Sequence, residues 1–194
     1  DLGATVLRVE RPVDAGMGVQ RPTRYYLPHR GKKSVVIDLK SPRGIDLVLD
    51  LVERADGLVD PFRPGTLERL GLGPEPCFAR NGRRVFGRIS GWGQDGPLAH
   101  VAGHDLNYIA LSGVLHAIGR EGQPPTPPLN LIGDYAGAAY LVMGMLAAML
   151  AVKAGGKGQV VDAAMVDAAA SLMTPIYGLH AAGLHGGARG TNVL

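Results

Sequence analysis

Cysteine is almost absent from this sequence of 194 residues, in which Cys77 is the only one. A single cysteine excludes an intramolecular disulfide and suits a reducing compartment. Without a cluster of thiols, a structural zinc site is not expected. Charged residues are also few, at 19% against 46% apolar residues. This balance predicts a compact globular protein and excludes a disordered one.

Long hydrophobic runs are scarce as well. The longest uncharged run, YAGAAYLVMGMLAAMLAV at residues 135–152, is barely long enough to span a bilayer and is rich in alanine and glycine. A glycine-rich turn and a predicted strand follow it. We therefore predict a helix buried in a soluble core, and no insertion into a membrane.

The two ends of the sequence carry no targeting signal and no initiator methionine. The chain opens on DLGATVLRVERP, which is typical of a helix end that runs into a strand, and it stops at RGTNVL without a cap or a polar tail. We therefore expect a fragment that is truncated at both ends and comes from a cytoplasmic protein.

The overall charge is weakly basic, with a net charge of +3 and a pI near 9.2. The densest basic stretch is QRPTRYYLPHRGKKS, residues 20–34. A solvated loop and a site for a small phosphorylated ligand both fit this stretch. No RNA- or DNA-binding motif accompanies it, so nucleic acid is not an expected partner.

Short β-rich runs alternate with helical patterns over the first half of the chain. We predict strands at 5–10, 34–39, 56–60 and 84–90, and helices at 41–55, 64–73 and 74–81. Beyond Gly103 we predict long helices at 104–117 and 134–153, a strand at 157–165 and a helix to about residue 179. The alternation predicts an α/β fold, a Rossmann-like parallel sheet wrapped by helices.

One glycine motif suggests a nucleotide cofactor. GWGQDG, residues 91–96, fits the dinucleotide-binding pattern and follows a predicted strand. Pro97 and a loop come next, so no helix start is available to receive a pyrophosphate. Nicotinamide or flavin binding is therefore not favoured.

Two titratable residues lie where loops turn into helices. GHDLNYIALSG at 103–113 carries His104 beside Asp105, and PPLNLIGDYAGAAY at 127–140 carries Asp134. Taken alone, a histidine such as His104 is more often structural than catalytic, and Asp134 at a helix start has the simple role of a helix cap. Two such groups facing a cleft would also suit proton transfer at a carbon acid. The N–H of Asp105 could donate a hydrogen bond that stabilises negative charge on a carbonyl oxygen. A metal pair formed by His104 and His100 is not favoured, because the proline and glycine around them oppose a helix.

A series of stretches carries a resemblance to a known family. They are DLGATVLRVERP, RGKKSVVIDLKSPRG, FRPGTLERLGLGPE, SGWGQDGPLAHVAGHDLNYIALSGVLHAIGR, PPTPPLNLIGDYAG and GKGQVVDAAMVDAA, in this order and over nearly all of the chain. The sequence resembles the family III CoA transferases and racemases (the CaiB/BaiF type), and within them the alpha-methylacyl-CoA racemase branch. The resemblance implies that residues 1–194 form a partial CoA-binding, catalytic large domain, without its first strand and its second small domain.

The resemblance also implies the chemistry. His104 and Asp134 would be the two acid/base residues on opposite sides of the α-carbon of a 2-methylacyl-CoA, a substrate of fatty acid metabolism. The N–H of Asp105 would hold the enolate oxygen. No metal and no redox cofactor would take part, since CoA belongs to the substrate. CoA would be bound by Arg11, Ile37, Lys40, Arg63, Arg69, Ala79 and Gly103.

Two alternatives stay open beside the racemase. In the related CoA transferases the residue that matches Asp134 is a nucleophile, but they have no match for His104. An inactive CoA-binding fragment is the other alternative. The resemblance further implies an interlocked homodimer and a catalytic glutamate outside this chain. Pro61 stands where the family usually has glycine, and the loop at 13–29 is longer than expected.

Overall fold

The computed structural model describes residues 2–13, 16 and 18–191, so the ends of the predicted 1–194 domain and part of the loop at 13–29 lie outside the described residues. The first half of the chain contains β1 (Leu7–Glu10), β2 (Lys33–Val36), α1 (Pro42–Arg54), β3 (Gly57–Asp60), α2 (Thr66–Arg69), α3 (Pro74–Arg80) and β4 (Val85–Ser90). The second half contains α4 (Asp105–Leu111), α5 (Val114–Ala117), a π-helical turn (Leu131–Tyr135), α6 (Ala136–Lys153), β5 (Gln159–Ala164), α7 (Met165–Leu172) and α8 (Thr174–Ala181). Two short 3-10 turns, Thr23–Tyr25 and Leu27–His29, lie in the loop between β1 and β2.

The strands are all parallel, which confirms the α/β class. They form two sheets where the sequence predicts one: β1 pairs with β2, and β4 lies between β3 and β5. Within the described residues no strand connects the two sheets. The alternation of elements predicts strand direction through the right-handed crossover, but it does not fix which strands become neighbours.

Helix α1 shows how local sequence sets these elements. Ser41 precedes it and accepts a hydrogen bond at 3.1 Å from the N–H of Gly44, and Pro42 occupies the first helical position. Both features are as predicted, because serine satisfies an unpaired N–H and proline has none to satisfy. The buried side of α1 contributes Val48 and Val52 to a core shared with α2, α3 and β4.

The later helices are shorter than predicted. The helix expected at 104–117 divides into α4 and α5 at Gly113, whose φ of 80° is left-handed and ends a helical turn. The helix expected to reach residue 179 likewise divides into α7 and α8 around Met173, before a proline in the first turn of α8.

Helix α6 packs on the three-stranded sheet with one side only. Leu141, Met145 and Val152 are buried against β4 and β5, while Leu146 and Leu150 are 47% and 68% exposed. Together with the π-helical turn it forms the one described helix that is long and apolar enough to cross a membrane, and 22% of its most apolar window is buried. The prediction that this helix is buried in a core is thus wrong for the side that carries Leu146 and Leu150, because no described residue covers that side.

Candidate active site

Parallel strands bring several loops of interest to one edge of each sheet. Asp60 ends β3, Ser90 ends β4 and Ala164 ends β5, and the N–H of Val166 donates to the carbonyl of Gly91 at 3.1 Å beyond these ends. Ligands of open α/β sheets bind at the carboxyl ends of the strands. The loop from Gly91 to the start of α4 leaves from this edge and contains no helix, which is why GWGQDG lacks the helix start of a dinucleotide site.

His104 is the N-cap of α4, and its side chain is exposed. Its backbone is extended, with φ −134° and ψ 169°. Its N–H donates to Oδ1 of Asn107 at 2.9 Å, and its carbonyl accepts from the N–H of Asn107 at 2.8 Å. The reciprocal bonds with Asn107 fix the main chain at the helix start, so the direction in which His104 leaves the helix is set locally.

Asp134 lies inside the π-helical turn and not at the start of the following helix. The predicted role as a helix cap is therefore wrong, since Tyr135 is the N-cap of α6. The carboxylate of Asp134 is half-buried and accepts a hydrogen bond at 3.2 Å from Nδ2 of Asn130. Leu129, just before this turn, has φ of 57°, the only positive φ among the described non-glycine residues. Short π-helical turns occur often at functional sites.

Asp105 connects the two elements that carry His104 and Asp134. Its side chain is 7% exposed. Its Oδ1 accepts hydrogen bonds from the N–H of Gly133 at 2.6 Å and of Asp134 at 2.9 Å. The role predicted for Asp105 concerns its N–H alone; this role of its carboxylate is not predictable, since no local pattern signals a bond across 28 residues.

Tyr108 is a second residue of the site that the sequence patterns do not single out. It is one turn after His104, is 5% exposed, and packs edge-on against Trp92 with ring centroids 4.8 Å apart. Burial, and then the negative charges of Asp134 and Asp105, raise the pKa of its phenol above the usual 10.0, while Arg63 acts in the opposite direction. Tyr108 therefore lies within electrostatic range of both aspartates and keeps its proton at neutral pH.

Two glycines make room for these aromatic rings. A Cβ on Gly91 would lie 2.3 Å from Oη of Tyr108, and a Cβ on Gly103 would lie 2.7 Å from Cε1 of Tyr108 and 2.9 Å from Trp92. Both positions thus require glycine for close approach. Gly103, predicted from the resemblance to contact CoA, has in this structure a packing role directly before His104.

Apart from Gly103, the predicted CoA-binding residues fall into two groups. The first group follows the carboxyl ends of β1, β2 and β3, the expected position for a ligand, and consists of Arg11, Ile37, Lys40 and Arg63. The side chain of Ile37 is 7% exposed and lies in the core, which leaves only its main chain for a ligand. The second group, Arg69 on α2 and Ala79 on α3, is exposed. The CoA contacts of both groups stay a prediction.

A partly buried ionic network lies beside the loop that carries Arg63, since Asp60 and Arg88 are largely buried and Glu68 is exposed. Oδ1 of Asp60 accepts from the N–H of Phe62 at 2.9 Å. Arg88 contacts Glu68, lies 3.9 Å from Oδ2 of Asp60 through Nε, and donates at 2.9 Å to Gln94. Burial raises the pKa of the Asp60 carboxyl, against the hydrogen bond from Phe62 and the charge of Arg88. The hydrogen bond from Phe62 to Asp60 thus holds the loop after β3, although proline occupies position 61 between them.

Among the described residues, no group of three histidine, cysteine, aspartate or glutamate side chains is placed to hold a metal ion. The chemistry available at the site is that of the imidazole of His104, the carboxylate of Asp134, the phenol of Tyr108 and the N–H groups at the start of α4. These groups can take up, hold and return protons, and they can stabilise a developing negative charge.

Known proteins of one family match this chain over almost its whole length. The family model described as CoA-transferase family III matches residues 1–192. The human alpha-methylacyl-CoA racemase is 43% identical over 197 residues, which cover 100% of this chain and 49% of the human protein. The acetyl-CoA:oxalate CoA-transferase of Acetobacter aceti is 34% identical over 86% of this chain and 45% of its own length.

Solved structures agree with the sequence comparison. The crystal structure of a CaiB/BaiF family protein from Brucella suis matches with a TM-score of 0.81 at 28% identity, and the match covers 94% of this chain and 52% of that one. The chain spans about half the length of the curated relatives it matches.

Proposed function

The chain belongs to CoA-transferase family III, and from this premise we propose that the protein is an enzyme that racemises or epimerises 2-methyl-branched acyl-CoA thioesters. One observation carries the choice of racemase over transferase. His104 adjoins Asp105, and the carboxylate of Asp105 accepts a hydrogen bond from the N–H of Asp134, so the helix start that carries a second base is held against the turn that carries the aspartate. The similarity to the human racemase supports the same choice.

The proposed reaction moves one proton on and off the α-carbon. One of His104 and Asp134 takes the α-proton as a base, and the C–H electron pair forms a C=C bond as the thioester oxygen becomes an enolate. The other residue, holding a proton, delivers it to the opposite face of the same carbon. The centre is then inverted, and the two residues have exchanged protonation states.

The enolate oxygen would be held by the N–H of Asp105. Among the described residues, this N–H, the first of α4, has no hydrogen-bond acceptor. A hydrogen-bond donor fixed in advance at the site of developing charge lowers the barrier, because the donor does not reorganise during the reaction. Proton transfer is the whole of this chemistry, so the proposed mechanism uses no metal and no redox cofactor.

CoA would lie along the carboxyl ends of the strands, with its phosphates near Lys40 and Arg63. This proposal is supported by the exposed, positively charged side chains that follow β2 and β3. Arginine and lysine bind pyrophosphate through charge-assisted hydrogen bonds. Arg11, Arg69, the main chain of Ile37, Gly103 and the exposed Ala79 complete the proposed surface.

We also propose an interlocked homodimer in which each site takes residues from both subunits, in the cytoplasm, without nucleic acid or membrane insertion. The exposed apolar side of α6, with Leu146 and Leu150, supports a covering partner, and a second copy would supply one. Light scattering after size exclusion tests this: a monomeric mass of the full-length protein would contradict it.

A CoA transferase is the second candidate function, favoured by the similarity to the acetyl-CoA:oxalate CoA-transferase. In that chemistry the carboxylate of Asp134 would attack the thioester carbonyl and form a covalent intermediate, and a second acid would complete the transfer. A racemase needs no acceptor acid, so the two functions separate in one assay. Loss of both activities with CoA binding retained would instead indicate the inactive CoA-binding alternative.

The test is exchange of the α-proton in deuterated water. The full-length protein is incubated with a 2-methylacyl-CoA, without an acceptor acid, and loss of the α-proton signal is followed by NMR together with loss of chirality. We expect both to occur with the wild type, and racemisation to be lost in His104→Ala. His100→Ala, an exposed histidine four residues earlier, is the matched control and is expected to keep the wild-type rate.

The opposite result is equally informative. If the wild type shows no exchange but transfers CoA once an acceptor acid is added, the racemase proposal is wrong and Asp134 is the nucleophile. In that case His104→Ala should keep transfer activity, because a histidine base has no part in it.

A further inference from the structure

We propose that the side chain of Asp105 is a positioning residue that fixes Asp134 relative to His104. This inference deepens the proposed function and rests on it. It concerns the carboxylate of Asp105, whereas the role considered above belongs to the N–H of the same residue.

The geometry shows a carboxylate inserted into another element. Asp105 begins α4, directly after His104, and its Oδ1 binds the N–H groups of Gly133 and Asp134 at 2.6 and 2.9 Å. One oxygen atom therefore holds two consecutive amides of the π-helical turn. The residue is 7% exposed, so water does not compete well for these amides, and the bonds carry more weight than exposed ones.

The π-helical turn has a structural need for this acceptor. The first N–H groups of any helix have no main-chain acceptor within it. In this turn, the N–H of Tyr135 reaches back to the carbonyl of Asn130 at 3.4 Å, whereas the amides of Gly133 and Asp134 turn to Asp105. Removal of the carboxylate would leave both buried or half-buried amides without an acceptor, and the turn would move to satisfy them.

The close approach also explains the glycine before Asp134. A Cβ on Gly133 would lie 2.5 Å from Oδ1 and 3.0 Å from Cγ of Asp105, which is too short for any side chain. The second oxygen, Oδ2, is buried and has no hydrogen-bond partner among the described residues. Only one of the two oxygens is thus used, and its task is to hold the turn.

Position matters in the proposed reaction because the two residues act on opposite faces of one carbon. A displacement of about 1 Å of a reacting group costs about 100-fold in rate. His104 is fixed by its bonds to Asn107, independently of the Asp105 carboxylate. Loss of that carboxylate should therefore displace Asp134 and leave His104 in place.

This difference gives a stereochemical test. Each enantiomer of the 2-methylacyl-CoA presents its α-proton to one of the two residues. In the full-length protein, exchange of the α-proton in deuterated water is measured separately from each enantiomer, and His104→Ala identifies the enantiomer that depends on His104. In Asp105→Ala we expect exchange from the other enantiomer, which depends on Asp134, to fall about 10- to 100-fold. Exchange with retention from the His104-dependent enantiomer should persist, with KM within about twofold.

Two further variants separate positioning from folding. Asp105→Asn keeps the main-chain N–H and an acceptor oxygen for both amides, and it should restore most of the Asp134-dependent exchange that is lost in Asp105→Ala. Asn81→Ala removes a comparable anchor away from the site, where Oδ1 accepts from the N–H of Arg83 at 3.0 Å and Nδ2 donates to the carbonyl of Glu53 at 3.1 Å. It should destabilise the fold without changing the ratio between enantiomers.

Several outcomes would overturn the inference. Equal slowing of both enantiomers in Asp105→Ala would indicate a general structural role. A defect in Asp105→Asn as large as in Asp105→Ala would show that charge, and not the anchored turn, is what matters. If the wild type exchanges the α-proton of neither enantiomer, the proposed function itself fails. The wild type alone shows this, so that failure is distinguishable from failure of the positioning role, which only the variants test.

Discussion

Replacement of Gly133 by alanine tests the contact between the two site elements from the opposite side. The new Cβ would lie 2.5 Å from Oδ1 of Asp105, and real Cβ atoms essentially never lie closer than 3.0 Å, so one element must move by at least about 0.5 Å. A shift of this size would lengthen and weaken the two bonds that Oδ1 accepts, now 2.6 and 2.9 Å. Overpacking of this kind costs about 1–3 kcal/mol of the free energy of unfolding.

The matched control is Gly178→Ala. Gly178 lies inside α8, and a Cβ there meets nothing within 4 Å. Since alanine favours a helix over glycine, this variant should gain about 0.5–1 kcal/mol. The two variants make the same chemical change, so a difference between them reports on the space available and not on glycine itself.

Both variants are measured by urea unfolding at equilibrium and by α-proton exchange in the full-length protein. Gly133→Ala should lower the urea midpoint and reduce racemisation about tenfold or more, because Asp134 is displaced. Gly178→Ala should raise the midpoint slightly and leave exchange unchanged. If Gly133→Ala matches Gly178→Ala in both measurements, the turn is not held by Asp105 and the reasoning is refuted.

Three other predictions concern Tyr108, Arg63 and Ser41. Because folding raises the pKa of Tyr108, the contribution of its phenol to stability should be intact below pH about 10 and should decline above it. The measurement is the free energy of unfolding of the wild type minus that of Tyr108→Phe, as a function of pH. A difference that stays constant up to pH about 11 would contradict the prediction. Arg63→Ala should raise the KM for acyl-CoA about tenfold at low salt and by less at high salt. Arg54→Ala, at the far end of α1, should leave the KM unchanged. If both variants raise the KM equally, Arg63 does not belong to the CoA site. Ser41→Ala should cost about 1 kcal/mol in urea unfolding, and no loss would show that the bond from Gly44 adds nothing.

Much of the fold was predictable from the sequence because it depends on local signals. The alternation of β-rich and helical runs predicts the class and all five of the described strands. Ser41 and the proline after it predict the start of α1, and the structure has the same cap. These signals are local: a cap or a periodic apolar face depends on residues a few positions apart.

The candidate site was predictable in part. Sequence patterns place His104 at a loop-to-helix junction, and the structure has it as the N-cap of α4. Asp134 was misassigned as a cap, since a π-helical turn cannot be distinguished by sequence from the first turn of an α-helix. Tyr108 was overlooked because its apolar spacing is that of an ordinary core residue, and nothing local indicates two nearby aspartates.

The sequence by itself thus determined the positions of the strands, the start of α1, the parallel α/β class and the residues able to exchange protons. Only the tertiary structure decided that the strands form two sheets, that one face of α6 stays open, and that Asp105 holds the turn of Asp134. The physical reason is the separation along the sequence over which each interaction acts. Caps and periodicity act within a few residues, whereas strand order, burial and the bond between Asp105 and Gly133 depend on segments that meet only when the chain has folded.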